Sequence, residues 1–376
     1  MTECGVQSFC PRCGARAPGI HLRCPRCGGL TLLELPNPRW KVESSVPSIW
    51  RYWRLLPRLP RRVSLGEGLT PLRRVGGTLV KLESRNPTGS YADRASSLLA
   101  SYLASKGAGR VSFEYSEDFA YSLAYYLRGL AEVEVVIPDP SRIDAMEVVA
   151  LVSLGALVSF GRGSGTLSYA SSLAVEGLKT IALELVERGV RAERVVVPAE
   201  TGLLALSVWK GLRDAERAGA PAGYEVVAAA LEGAPEPELA RLAPGVRVER
   251  VGAEEAVVSL VELARRGIRA KLLAAAALAA AERLGGSVAV VTVSQRRAPP
   301  LRAARRSQLK EAVEKVLAAL GEATAYDLWA RLRGYSLRGV YRALSSLERE
   351  GRVCSSYRAE GSRKVKLYRL CAADAP

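Results

Sequence analysis

The chain is expected to be an α/β protein: a two-subdomain core of parallel sheets covered by helices, with a zinc ribbon at one end and a winged helix at the other. Three observations predict this. From Leu79 to Ser294, short β-rich apolar runs alternate with helical stretches rich in Ala and Leu, the pattern of parallel strands buried under helices. Two Cys-x-x-Cys pairs stand near the start, and after the basic, Pro-marked stretch Arg296-Arg297-Ala298-Pro299-Pro300 a run of three helices and two strands fills residues 307–376.

At 376 residues the chain is too long for one ordinary core. Its formal net charge is +16, unevenly placed. Residues 1–63 hold 11 Lys+Arg against 3 Asp+Glu and residues 301–376 hold 16 against 8, whereas residues 64–300 hold 27 of each. Charge confined to the ends points to a polyanion held by terminal appendages. An Arg-rich composition from a hot environment, which one His and two Met also suit, is the competing reading, and it leaves the neutral middle unexplained. No apolar run reaches the ~18 residues of a membrane span; the longest, Leu272 to Ala281, is an Ala-rich helix. Met1-Thr2-Glu3-Cys4 lacks the apolar region of a signal peptide, so a cytoplasmic location is expected.

Residues 1–35 are the expected zinc ribbon. Cys10, Cys13, Cys24 and Cys27, with glycine after each second cysteine, suit two knuckles whose amides turn toward thiolates on one tetrahedral Zn²⁺. So short a segment builds no core of its own, which makes the metal its main support. Two disulfides are the alternative. Cys4 and His21 are nearby but redundant for four ligands. In residues 36–63, Trp40, Trp50 and Trp53 are interleaved with Arg51, Arg54, Arg58, Arg61 and Arg62. This is read as a connecting segment whose tryptophans dock on the next domain, rather than as a base-stacking surface.

Residues 64–297 form the expected core, with strands at Arg110–Tyr115, Val133–Ile137, Ala156–Phe160, Arg194–Val197, Tyr224–Leu231 and Ser287–Val293. The nine residues Asn86-Pro87-Thr88-Gly89-Ser90-Tyr91-Ala92-Asp93-Arg94 follow the strand Leu79–Glu83 and open a helix from Asp93 to about Lys106. Polar loop groups there meet a helix N-terminus, a setting that favours a ligand.

That stretch, with Ser64-Leu65-Gly66-Glu67-Gly68-Leu69-Thr70-Pro71-Leu72 before it, resembles the signature of threonine synthases and their relatives, the fold-type II pyridoxal-phosphate (PLP) enzymes. Glu176–Ala182 and Val195-Val196-Val197-Pro198 match further family blocks, and N-terminal zinc ribbons occur in many archaeal and bacterial members. The resemblance implies a fold-type II core, two α/β subdomains with a cleft between them. It also implies that Ala92 occupies the place of the lysine that forms the Schiff base, and an alanine has no amine. Other departures fall on the family's cofactor contacts. Ser116-Glu117-Asp118 replaces Ser/Thr-Gly-Asn, Glu200-Thr201-Gly202-Leu203 replaces the Gly-Asn-Gly-Gly phosphate loop, and Thr292-Val293 replaces Thr-Gly. A degenerate site of Asn86, Ser90, Asp118, Glu200, Thr201, Gly202 and Thr292 is expected, without PLP. Its acidic residues suit a small amine or a metal-bound ligand as effector.

Residues 298–306 read as a linker. Beyond it, Leu309, Val313, Val316, Leu317 and Leu320 form a helical stripe; Thr324 and Ser336 cap two more helices; and Arg352–Arg358 and Arg363–Leu370 read as strands. This looks like a winged helix-turn-helix, with Arg338, Tyr341, Arg342 and Ser345 on the recognition helix and Arg358, Arg363, Lys364 and Lys366 on the wing facing double-stranded DNA. A protein-contact role is the alternative. Cys354 and Cys371 are expected as buried, unpaired residues.

Together these expectations describe a homodimeric, archaeal DNA-binding regulator on a catalytically inactive core. Two alternatives stand beside it: an active PLP-dependent lyase that uses another lysine, such as Lys81 or Lys179, and a structural scaffold.

Overall fold

A computed structural model describes residues 5–143, 145–161, 165–292, 301–332, 335–360 and 363–371. The chain divides into two compact units between residues 297 and 298.

The first unit opens with a small antiparallel sheet in the order β2-β1-β3, from β1 (Gln7–Phe9), β2 (Arg16–Pro18) and β3 (Leu32–Glu34). The α/β part follows: β4 (Leu72–Val75), β5 (Thr78–Leu82), α1 (Ala92–Ser105), β6 (Arg110–Glu114), α2 (Phe119–Leu127), β7 (Glu132–Ile137), α3 (Ala145–Ser153), β8 (Leu157–Phe160), α4 (Ser172–Leu178), α5 (Thr180–Glu187), β9 (Arg194–Pro198), α6 (Leu203–Arg217), β10 (Glu225–Leu231), β11 (Arg247–Val251), α7 (Ala253–Arg265), α8 (Leu272–Leu284) and β12 (Ser287–Val291). Two sheets result. One has six strands in the order β11-β10-β9-β12-β5-β4, parallel except for β4; the other is the parallel trio β6-β7-β8.

Side-chain alternation sorts the six-stranded sheet into two faces. Val195, Val197, Val226, Ala228, Val288 and Val290 join one core with α5 and α6. Their neighbours Val196, Val227, Ala229, Ala289 and Val291 join another with α7 and α8. Ala274 to Ala281 are all buried, and their short side chains let α8 lie close to the strands. At the crossing of α1 and α4, a Cβ on Gly177 would sit 2.3 Å from the carbonyl oxygen of Arg94. Only glycine permits that approach.

A third core joins the trio to α1, α2 and the N-terminal segments: Phe113, Val135, Leu98, Leu123, Val6, Ile20, Leu33, Ile49 and Trp50. Trp50 is buried, with its indole N–H donating to Ser97 Oγ at 3.0 Å, and Arg51 pairs with Glu187 at 2.8 Å. The connecting segment therefore docks through an aromatic anchor, and its Trp50 is no exposed stacking platform. Arg54 and Arg58 lie over the ring of Trp53.

The second unit comprises α9 (Leu301–Leu320), β13 (Glu322–Thr324), α10 (Ala325–Arg331), α11 (Leu337–Arg349), β14 (Val353–Glu360) and β15 (Arg363–Leu370). The expected linker differs here, because helix already covers residues 301–306. Strand β13 pairs with β15, so the sheet has three strands, in the order β13-β15-β14. Leu309, Val313, Leu317, Leu328, Val340, Leu344, Leu347, Val353 and Tyr368 fill its core. Thr324 closes a capping box with Asp327, and Ser336 Oγ accepts from Gly339 N, which fixes where α10 and α11 begin.

Candidate functional site

The loop from β5 into α1 sits on buried charges. Arg94 donates through Nε to Glu83 Oε2 at 2.7 Å and through Nη1 to Glu184 Oε1 at 2.5 Å, while Lys81 donates to Glu184 Oε2 at 2.6 Å. All four side chains are essentially inaccessible, two cations against two anions. Burial opposes ionisation of Glu184, but Arg94 and Lys81 outweigh it and hold the carboxyl down at about 2. Asn86 extends the network, donating to Glu83 Oε2 at 2.8 Å and accepting from Gly68 N at 2.8 Å.

Ala92 opens α1, and its methyl group belongs to the apolar core under that helix. Ser90 Oγ accepts from Ala92 N at 3.1 Å. Asp93, in the first turn, accepts from Thr88 N and Ser122 Oγ, each at 2.6 Å; burial nevertheless lifts its carboxyl to about 7. Helix α1 is thus held at its start by polar contacts made within the protein.

None of the five core lysines offers an amine at Ala92. Lys81 is committed as described. Lys179 pairs with Glu176 and, at 2.6 Å, with Asp214; Lys210 pairs with the same two carboxylates. Lys106 lies one residue beyond the far end of α1, over the Tyr102 ring. Lys271, one residue before α8, donates to Asp118 at 2.8 Å and to Glu117 at 2.9 Å. This last contact joins the six-stranded subdomain to the turn after β6, and nothing in the sequence pattern announced it. Part burial pulls Lys271 down, yet Asp118 and Glu117 together hold it above the ordinary lysine value.

Asp118 itself has φ 64° and ψ −43°, and Phe119 N donates to Glu117 O at 2.7 Å. These are the marks of a γ-turn, a strained conformation for a residue with a Cβ. Nearby Tyr91 is pushed up to about 12, mainly by burial, with Asp118 and Glu200 adding to it and Lys271 opposing.

The turn between β9 and α6 carries the remaining expected residues. Glu200 and Thr201 are exposed, and Gly202 is buried in the left-handed region at φ 86°. A Cβ there would meet Ala240 N at 2.4 Å, and Thr201 O accepts from Leu239 N at 2.9 Å. The chain's own segment around residues 237–240 therefore packs against this turn and explains the glycine. Thr292 follows β12, half-buried, and Val293 lies outside the described residues.

At the N-terminal end, the sulfur atoms of Cys10, Cys13, Cys24 and Cys27 all lie within 4.8 Å of one another, a set of four thiols able to hold one metal ion. Burial opposes ionisation of Cys24, but the amides of Cys27 and Arg26 bring its thiol down to about 7. His21 is turned toward Pro18 O and stands apart from the set. Cys4 lies outside the described residues.

On α11, Arg338, Tyr341, Arg342 and Ser345 are all exposed, with helical spacing on the side away from Val340, Leu344 and Leu347. On the hairpin, Lys364 is exposed, whereas Arg358 pairs with Glu322, and Lys366 pairs with Glu348 at 3.0 Å and lies over the Tyr368 ring. The expectation of three free wing cations is corrected accordingly: acids on the body of the unit already neutralise two of them. The side chain of Arg363 lies outside the described residues. A second correction concerns Cys354 and Cys371, which form a disulfide across the open end of the hairpin, where the pairing of Val353 with Leu370 brings their Cα atoms to 5.1 Å.

Compared with known proteins, residues 63–168 match the family described as pyridoxal-phosphate dependent enzyme. The chain is 25% identical over 202 residues to a threonine synthase of Methanosarcina acetivorans, covering 46% of this chain and 50% of that one. It is 26% identical over 209 residues to a threonine synthase of Methanocaldococcus jannaschii, covering 48% and 52%. The chain thus spans about half the length of these relatives. Among solved structures, threonine deaminase isoform 2 from Solanum lycopersicum aligns with a TM-score of 0.54 at 14% identity, over 71% of this chain and 89% of that one. Serine racemase from Dictyostelium discoideum aligns at 0.51 and 15%, over 61% and 92%. The core has the fold-type II architecture, and part of it is similar in sequence to threonine synthases.

Proposed function

We propose that this fold-type II scaffold serves a cytoplasmic DNA-binding regulator and does not perform PLP chemistry. The observation that carries the catalytic half is Ala92. Its methyl is packed into the apolar core, and four of the five core lysines are held by carboxylates while the fifth lies beyond the far end of α1. The residues present also fit the cofactor poorly elsewhere. Asp118 and Glu117 are bound to Lys271 where the resemblance places a neutral asparagine, and Glu200 sets a negative charge where a phosphate dianion would lie. The β9–α6 turn is packed by the chain itself, so its glycine answers to protein rather than to a phosphate.

The DNA half rests on the second unit. Three helices with a three-stranded sheet fit a winged helix, and Arg338, Arg342 and Ser345 form an exposed face on the helix that would enter a major groove. The four cysteines would hold a structural Zn²⁺, and the cleft between Asp118, Lys271 and Glu200 is the place for an effector. The names of the sequence relatives favour a second reading, an active enzyme.

Two measurements on the full chain decide. Addition of PLP should produce no absorbance of an internal aldimine, and a yellow complex bleached by borohydride overturns the inactive core. Fluorescence anisotropy with duplex DNA should give an affinity that falls with salt and weakens when Arg338 and Arg342 become alanine. Binding unaffected by either overturns the regulator reading.

A further inference from the structure

Large apolar side chains are exposed most densely on one short stretch. Met146, Val149 and Val152 on α3 and Leu157 and Phe160 on β8 are between 56 and 66% exposed. Spacing of three residues puts the first three along one face of α3. From residue 145 to residue 160 there is one charged side chain, Glu147, and it is buried, with its carboxylate accepting from Tyr115. The other exposed apolar group, Val257, Val258 and Val261 on α7, is interleaved with Glu254, Glu255, Glu262 and Arg265, as an ordinary solvated helix face is. The α3 stretch has no such dilution.

The backbone beside it is equally uncovered. In the trio β6-β7-β8, the β6 edge is closed by the chain itself: Leu167 N donates to Ser112 O at 3.0 Å and Glu114 N to Leu167 O at 2.9 Å. Strand β8 pairs with β7 on one side, and no partner on its other side is found among the described residues. Its sequence, Leu157-Val158-Ser159-Phe160, has no charge and no proline, so it lacks the usual devices that protect an edge. An apolar helix face next to an open, uncharged edge is a pairing surface.

We infer that this face binds a second copy of the same chain, β8 against β8, about a two-fold axis. The occupant must bring an uncharged extended segment for the edge and an uncharged apolar face for α3, and another copy brings both. Charge favours the same choice: each copy carries +16, and this stretch is where two of them meet without opposing charges. A two-fold axis normal to the sheet makes the two β8 strands antiparallel. It merges the trios into one six-stranded sheet and sets both α3 helices on the same side of it. Val149, the middle of the exposed stripe, is then the residue nearest its own counterpart. The inference is independent of what the second unit binds.

Sedimentation velocity of the full chain at tens of micromolar, without DNA, tests it. A dimer is expected. Val149→Lys and Val149→Glu should each sediment as monomers with unchanged near-ultraviolet circular dichroism, because one substitution places two like charges across the axis. An equimolar mixture of the two should return to dimer. If Val149→Lys does not fold, Phe160→Lys supplies the same reading at the edge. A monomeric wild-type chain, a dimer that survives these substitutions, or variants that stay monomeric when mixed overturns the two-fold contact through α3 and β8.

Discussion

Lys271 Nζ lies 2.8 Å from Asp118 Oδ2, so a cation at the start of α8 ties the six-stranded subdomain to the strained turn at the start of α2. Glu117 shares the same ammonium at 2.9 Å. An ammonium that the acidic residues of the cleft invite from a ligand is therefore already supplied by the protein.

Replacing Lys271 with alanine should leave two carboxylates facing each other with Glu200 in the same neighbourhood. The lysine is about one-third exposed, so screening limits the loss to about 1 kcal/mol at pH 7. Urea unfolding should show an earlier midpoint with an unchanged slope. At pH 4 the gap between variant and wild type should narrow, because the acids left unpaired become partly neutral.

The Lys81, Glu83, Arg94 and Glu184 cluster should dominate acid sensitivity. Glu184 is held at about 2 against an ordinary 4.5, so its contribution is fully present above pH 4.5 and is lost as pH falls toward 2. The loss is about 3 kcal/mol by the ordinary conversion of pKa shift to free energy. Glu184→Gln should cost about 3–5 kcal/mol at pH 7 by leaving Lys81 and Arg94 short of an anion. Denaturation of that variant should depend less steeply on pH between 4.5 and 2 than that of the wild type, and equal steepness would contradict this account.

Zinc should be measurable at one ion per chain, and Cys24→Ser should reduce it. The small β2-β1-β3 sheet contributes Val6, Ile20 and Leu33 to the core that holds Trp50, so chelation should shift tryptophan emission as well as release metal. Metal analysis that finds no zinc in freshly purified protein removes the structural ion from the reading.

Much of this architecture was legible because it rests on periodicity. Strand β15 falls at Arg363–Leu370, as its alternation predicts, and the predicted starts and ends of β6, β7 and β9 lie within a residue or so of those found. The cysteine spacing likewise brings four sulfurs together. Contacts between residues far apart in sequence left no such trace. Lys271 and Asp118 are 153 positions apart, and nothing local marks either as the other's partner. Arg358 and Lys366 have the composition of free wing cations, and only the fold reveals Glu322 and Glu348 beside them. The disulfide between Cys354 and Cys371 escaped for a different reason: a reducing compartment was expected, and hairpin register alone brings the two together.

Ala92→Lys alone should not yield threonine formation. A new lysine at that position would have to displace apolar contacts, and Asp118, Glu117 and Glu200 would remain to oppose an anionic cofactor. The check is threonine production together with the spectrum after PLP addition. Formation of threonine by the single variant would mean that the remaining departures from the family pattern matter little.

The winged-helix reading separates four cations that look alike in sequence. Arg338 and Arg342 are exposed on α11, Lys364 is exposed on the hairpin, and Lys366 is bound to Glu348. Replacing Arg338 or Arg342 with alanine should relax preference at a base position, costing about 1–3 kcal/mol on the preferred duplex and little on others. Lys364→Ala should weaken binding to all sequences alike and lower the slope of log K against log salt by about 1, one phosphate contact. Lys366→Ala should leave that slope unchanged and act on hairpin stability instead, since its charge is spent on Glu348. Anisotropy titrations across a salt series read all three. If Lys366→Ala lowers the slope as much as Lys364→Ala does, the ion pair with Glu348 opens on DNA and the wing docks differently from the geometry described here.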